Sequence, residues 1–281
     1  MKGKKITLIL LITFFIGLLV LFYPTISEYY NSSRQSKAIV DYDSLLTEEK
    51  DYTLDFEKAN AYNQTLSKMK SPLTDYKKLS DYEKLINVDG MGMMGYISIP
   101  KIKVEIPIYH GTSDIVLNSK VGHLEGSSLP VGGTSTHSVL SAHRGLPTAK
   151  LFSDLNKLEV GDTFVITVLD RKLTYQVDKI TIVKPNDITD LKIVEGEDYV
   201  TLLTCTPYGI NSHRLLVRGT RIENVKDLKK VITAEAYQID NLIVTFAIAL
   251  PILLILIMIV MFKPIKKVPN KEEIWKRFCL I

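Results

Sequence analysis

The spacing of apolar and polar positions divides this 281-residue chain into four stretches. Residues Ile6 to Tyr23 form an uncharged run of 18. As a helix it would span about 27 Å, close to the hydrocarbon thickness of a bilayer. Leu242 to Phe262 is a second uncharged run, of 21 residues. Pro251 lies inside it, which a membrane helix tolerates better than a soluble one. No polar stripe marks it as a buried soluble helix. The polar stretch 27–88 carries apolar residues at helical spacing. Ile39, Tyr42 and Leu46 fit one face, and Leu54, Lys58, Tyr62 and Leu66 a weaker one. This predicts two amphipathic helices, interrupted near Ser71-Pro72.

From Met94 the period changes to two. Tyr96–Ile99, Val104–Ile108, Ser138–Leu140, Thr163–Val168, Leu173–Val177, Ile180–Val183, Val200–Leu203 and Leu215–Val217 all read as strands. Gly161-Asp162 and Asp170-Arg171 mark turns, and short helical segments fit near Asp114–Asn118 and Thr148–Leu155. Eight short strands with few helices predict a mainly β fold, a closed or nearly closed barrel.

Charge adds a topology. Lys2, Lys4 and Lys5 precede the first apolar run, and Lys263, Lys266 and Lys267 follow the second. Both clusters belong on the cytoplasmic side by the positive-inside rule. A cleaved signal peptide is the alternative for the first run. That run is longer than a usual signal core, however, and no small-x-small cleavage site follows it. Tyr23, Tyr29 and Tyr30 suit an aromatic interface belt instead. The expected layout is a cytoplasmic tail at 1–5, a transmembrane helix at 6–23 and an extracytoplasmic helical, lid-like segment at 24–89. The barrel follows at 90–224, then a linker at 225–241, a second transmembrane helix at 242–262 and a basic cytoplasmic tail at 263–281. The chain would thus be a two-span protein of the cell membrane, with its catalytic part outside and both termini cytoplasmic. The net charge is +4. Subtracting the +3 and +4 of the two tails leaves the outer portion near −3, so the basicity does not indicate nucleic-acid binding.

There are two cysteines. Cys279 would lie in the cytoplasmic tail and Cys205 outside, so no disulfide can join them. A lone thiol in an oxidising compartment is a liability unless it is buried or used. Cys205 ends the apolar run Val200–Thr204 and precedes Thr206-Pro207-Tyr208. A strand end holds a nucleophile firmly, and the loop beyond it can shape a pocket. A thiol with a pKa near 8.5 needs a nearby base or cation. His143 also ends an apolar strand, in Ser141-Ala142-His143-Arg144-Gly145. In Asn211-Ser212-His213-Arg214-Leu215-Leu216, alternation sets Arg214 and Leu216 on one face and His213 and Leu215 on the other. Arg214 would stabilise a thiolate or a developing oxyanion. On spacing alone a single cysteine is more often a core residue than a nucleophile.

The stretches TLLTC at 201–205 and SAHRG at 141–145, with arginine at 214, resemble the sortase signature. The longer stretch at 123–152 is similar to class C, the pilin-polymerising sortases of Gram-positive bacteria. The resemblance covers roughly 94–221 and implies an eight-stranded sortase-type β-barrel. It implies Cys205 as nucleophile, His143 as general acid/base, Arg214 as substrate and oxyanion stabiliser, and Thr204 as a substrate-positioning residue. His110, His123, His137 and His213 gain no role from it. It implies a cysteine transpeptidase that cleaves an LPxTG-like sorting signal through a thioacyl intermediate and joins pilin subunits to lysine by isopeptide bonds. A cell-wall-anchoring sortase using a peptidoglycan amine is the alternative. Cysteine hydrolysis and a non-enzymatic scaffold are the further rivals. Partners would be pilin subunits and the lipid bilayer; no cofactor and no metal is implied. Class C sortases usually carry a lid with an Asp-Pro-aromatic motif. Here the corresponding Lys70-Ser71-Pro72-Leu73-Thr74-Asp75 lacks both the acid and the aromatic.

Overall fold

The computed structural model describes residues 2–46 and 50–224, together with seven helical positions between Phe246 and Ile257. The linker at 225–241, the tail at 263–281, Cys279 and the rest of the 242–262 run lie outside the described residues. Contacts group the chain into two units, Met1–Val225 and Lys226–Ile281.

Helix α1 runs unbroken from Lys2 to Leu45, with Pro24 inside it. The membrane-length run and the first amphipathic segment are therefore one element. Ile12, Phe14, Ile16, Leu19, Val20 and Leu21 are all exposed. Among the described residues this is the one helix long and apolar enough to cross a membrane. Its second half rests on the barrel. Asn31 donates to the Thr148 carbonyl at 2.8 Å and Gln35 to the Ser119 carbonyl at 2.6 Å. Ile39 and Tyr42 are buried as the helical spacing predicts. The Tyr42 hydroxyl donates to Met94 O at 3.0 Å and accepts from Leu169 N at 2.9 Å.

Helix α2 spans Thr53–Ser67, and its buried face differs from the predicted one. Tyr62 and Leu66 are inside, but Leu54 is 59% exposed and Lys58 faces solvent. Phe56, Ala59 and Asn63 complete the contact instead. Asn63 decides the phase: its amide donates to Leu129 O at 3.1 Å and accepts from Leu129 N at 2.7 Å. A polar side chain thus closes two backbone bonds inside the protein. A single helical turn, α3 (Pro72–Asp75), follows.

The barrel contains β1 (Met93–Ile99), β2 (Val104–His110), β3 (Val121–His123), β4 (Thr136–Ser141), β5 (Thr163–Val168), β6 (Arg171–Val183), β7 (Asp198–Thr206) and β8 (His213–Ile222). It closes in the order β1-β2-β3-β4-β7-β8-β6-β5. The strand number matches expectation through two compensating differences. β3 is only three residues long and shows no alternation. The predicted pair 173–177 and 180–183 is one strand with an irregular register between Val177 and Lys179. Such an extra residue breaks the period-two pattern without ending the strand. A helical turn, α4 (Asp114–Leu117), forms where one is expected, whereas the Thr148–Leu155 region is turns leading to a 3-10 segment at Leu155–Lys157.

Two pairings are parallel, β2 with β3 and β4 with β7. A parallel pair needs a long crossover. Here β5 and β6 lie in the stretch between β4 and β7, so residues some 60 positions apart become neighbours.

Candidate active site

On β7, Val200, Leu202, Thr204 and Thr206 are buried, and Leu202 lies in the main core. By alternation Leu203 and Cys205 face the opposite way, outward. On β8, Leu215 joins the main core, while Leu216 packs outside with Val139 and Leu191. Arg214 therefore shares the outer face with Leu216, as the alternation predicts. Cys205 and Arg214 are direct cross-strand partners.

On the other side of β7, the parallel register pairs Ser141 with Leu203. Two residues further along, it sets His143 opposite Cys205. Backbone and side-chain bonds continue the pairing past the end of β4. Ala142 N donates to Leu203 O at 3.2 Å, and Thr204 Oγ1 donates to Ala142 O at 2.8 Å. His143, Cys205 and Arg214 thus form one row across three adjacent strands. Neighbouring strands lie about 4.8 Å apart, which is within reach of side chains on a shared face.

Cys205 is a half-buried free thiol. Among the described residues no hydrogen bond engages its sulfur or the His143 ring. The Arg214 guanidinium folds back: Nη1 donates to Asn211 O and His213 O, each at 3.1 Å. No protein acceptor among the described residues engages its Nε and Nη2. His213 points away from the row and pairs with Ser212 at 2.9 Å.

The remaining histidines are wired into the scaffold. His123 is fully buried, with Nε2 at 2.8 Å from Ser128 O and Nδ1 at 2.8 Å from the Tyr82 hydroxyl. Burial pushes its pKa down to about 4, so the ring is neutral. Nε2 then donates to Ser128 O, and Nδ1 accepts from Tyr82. His137 bonds Lys192 O at 2.8 Å and Thr201 Oγ1 at 2.7 Å, and burial lowers its pKa too. It ties the β6–β7 loop down. Asp190 in that loop, held low by its hydrogen bond to Lys179, adds a second tie at 2.7 Å. His110 bridges Leu85 O and Gly92 O.

Residues 70–75 lie against the barrel. Leu73 packs on the outer cluster that contains Val139, Leu203 and Leu216. Gly126 makes the approach possible: at φ +85°, a Cβ there would sit 2.7 Å from Pro72 O. A cleft of about 490 Å³ separates this segment from the β6–β7 loop, lined by Leu73, Ser127, Ile188, Leu191, Lys192 and Ile193 among others. Beyond the row, the Tyr208 ring covers Gly145, where a Cβ at φ +80° would lie 2.7 Å from the ring. Among the described residues no three His, Cys, Asp or Glu side chains gather where they could hold a metal ion.

A barrel of this connectivity, with a thiol flanked by histidine and arginine at neighbouring strand ends, is the architecture of a known family. Residues 97–222 match the sortase domain. Sortase C1 from Streptococcus agalactiae is 50% identical; the match covers 67% of this chain and all of that one, with a TM-score of 0.61. The group B Streptococcus pilus island 1 sortase C2 is 54% identical over 60% of this chain and 95% of its own, with a TM-score of 0.53. Sortase D of Bacillus subtilis (strain 168) is 30% identical over 131 residues, which is 46% of this chain and 63% of that protein, under two thirds of its length. The chain belongs to the sortase family, among its class C members.

Proposed function

We propose that this chain is a membrane-anchored cysteine transpeptidase that polymerises pilins. The shared row of His143, Cys205 and Arg214 carries the reading. Sortase-family members are cysteine transpeptidases, and one similar structure is that of a pilus-island sortase.

In this reading the Cys205 sulfur, as thiolate, attacks the Thr–Gly carbonyl of an LPxTG-like sorting signal. The carbonyl oxygen gathers negative charge, and the unengaged Nε and Nη2 of Arg214 are donors suited to it. The C–N bond breaks, and His143 protonates the leaving amine. A lysine amine of the next pilin then attacks the thioester, loses a proton to His143 and releases the thiolate. One amide replaces another, so no nucleotide is consumed. Thr204 acts from beneath, its hydroxyl fixing Ala142 beside His143. The cleft beside Leu73, lined by both polar and apolar side chains, is a partly covered trough on the outer face where part of the sorting signal would lie. The reading keeps the two spans at 6–23 and 242–262, with the barrel outside; pilin precursors anchored in the same bilayer would gain effective concentration.

Mass spectrometry of the full chain incubated with an LPxTG-type peptide tests the chemistry. The expected result is an acyl adduct on Cys205 that an added amine resolves to an amide product. Turnover to free acid alone, unaffected by lysine-bearing acceptor, overturns the transpeptidase reading. Faster resolution by a peptidoglycan-type amine than by pilin lysine would favour wall anchoring.

A further inference from the structure

We propose that Arg144 is a positioning residue for His143, acting through a hydrogen bond to Thr206 on the strand that carries Cys205. The inference rests on the acyl-transfer reading, in which His143 handles the amine proton.

β4 ends at Ser141, so no sheet ladder holds His143. Its ring makes no hydrogen bond among the described residues, and its carbonyl accepts only from Phe152 N, at 3.2 Å. The ring is nonetheless flanked by two struts. Before it, Ala142 is buried in the barrel core and its carbonyl accepts from Thr204. After it, Arg144 Nη1 donates to Thr206 Oγ1 at 3.1 Å. Thr204 and Thr206 both point to the interior side of β7. Residues 142 and 144 are thereby drawn to that side, and backbone alternation sends the residue between them outward, to the Cys205 side. Without the second strut, the bonds from Phe152 N to His143 O and from Gly145 N to Ser153 Oγ remain, but neither fixes which way residue 144 faces, and the imidazole can swing out of the row.

Two further contacts make Arg144 a fixed brace. Nη2 donates to Asn156 Oδ1 at 2.9 Å, anchoring the guanidinium to the 3-10 segment below. Nε is buried and meets no acceptor among the described residues. A buried donor without a partner is rare and disfavours folding. The group is held in place at a cost to stability, as positional constraints at reacting sites often are. The cation lies across β7 from the sulfur, so its effect runs through geometry rather than through charge on the thiol. Lysine cannot reach Thr206 and Asn156 together as the planar fork does.

The test uses the full chain in detergent micelles, with kcat and KM measured separately for an LPxTG-type peptide and an amine acceptor. Arg144→Met should lower kcat on the order of 10²-fold, the penalty expected for a misplaced catalytic group. KM should stay within about twofold, because substrate contacts are intact. Thr206→Val should lower kcat by about tenfold, and the double variant should be no worse than Arg144→Met, because both remove one interaction. Arg144→Lys should recover part of the loss. Circular dichroism of each variant, referred to the parent, corrects each rate for the folded fraction. If Arg144→Met does not fold, Thr206→Val carries the test. Corrected kcat values within about twofold of the parent in both variants, or losses that multiply in the double variant, would overturn the inference alone. A parent chain that forms no acyl adduct overturns the transpeptidase reading, and this inference with it.

Discussion

His123 lies on β3 and His143 just past the end of the neighbouring β4, yet their surroundings are opposite. His123 pairs across the sheet with Leu140. It has no exposed surface, and both ring nitrogens are engaged. His143 is half-exposed, and its ring has no partner among the described residues. Full satisfaction makes an imidazole a structural strut that cannot exchange protons at neutral pH. An unsatisfied ring at a strand end keeps both nitrogens available for transfer. The contrast suggests that the barrel invests its buried hydrogen bonds around the site rather than in it.

The contrast can be tested from the largest effect downward. Cys205→Ala should abolish acyl-adduct formation and cut transpeptidation by at least about 10⁴-fold, read by mass spectrometry and product assay. His143→Ala should lower kcat by about 10²–10⁴-fold with little change in thermal midpoint. Were His123→Ala to match that loss of turnover per folded molecule, the division of roles would be wrong. Arg214→Ala should cost about 10²–10³-fold in kcat. His123→Ala should instead destabilise the fold by about 2–4 kcal/mol, measured by denaturant unfolding, because Tyr82 and Ser128 lose a buried partner.

A pH titration sharpens the same point. The folded pKa of His123 is about 4, below the ordinary 6.5. As pH falls, the unfolded chain takes the proton first. The stability this ring supports is therefore complete above pH 6.5 and is lost progressively toward pH 4, by up to about 3 kcal/mol. His123→Gln should flatten that slope. The smallest effect belongs to the cover over the outer face. Leu73→Ala should raise the alkylation rate of Cys205 several-fold by loosening residues 70–75; an unchanged rate would mean that this segment does not limit access.

Much of the barrel is legible in alternating runs, because a half-buried strand must alternate. β3 is not legible: Val121-Gly122-His123 is too short to show a period, and its parallel partner β2 pairs it by tertiary context. β6 reads as two strands because the chain slips register near Asp178. The α2 face is misphased because Asn63 counts as polar in any periodicity, although it serves the interior. For the site, the strand ends carrying Cys205 and His143 are visible, but their adjacency is not. It depends on β4 and β7 lying parallel across a long crossover, and no local pattern encodes that. Arg144 sits in the quoted SAHRG stretch, yet its inward course shows only once Thr206 is seen facing it. At Ser71-Pro72-Leu73 the acid and the aromatic of the lid motif are replaced, and that replacement does not foretell that Leu73 lies on the outer cluster.

The unbroken α1 helix has a mechanical corollary. A rod, unlike a tether, sets elevation. At 1.5 Å per residue, the seven residues from Pro24 to Asn31 measure roughly 10 Å. With residues 6–23 in lipid, the Asn31–Thr148 contact would hold the loop after His143 just above the headgroups. Pro24 would be an articulation along that shaft. Substrates would then have to present their cleavage point at a fixed altitude, so lengthening the helix by whole turns should shift which substrates are reached without touching the chemistry.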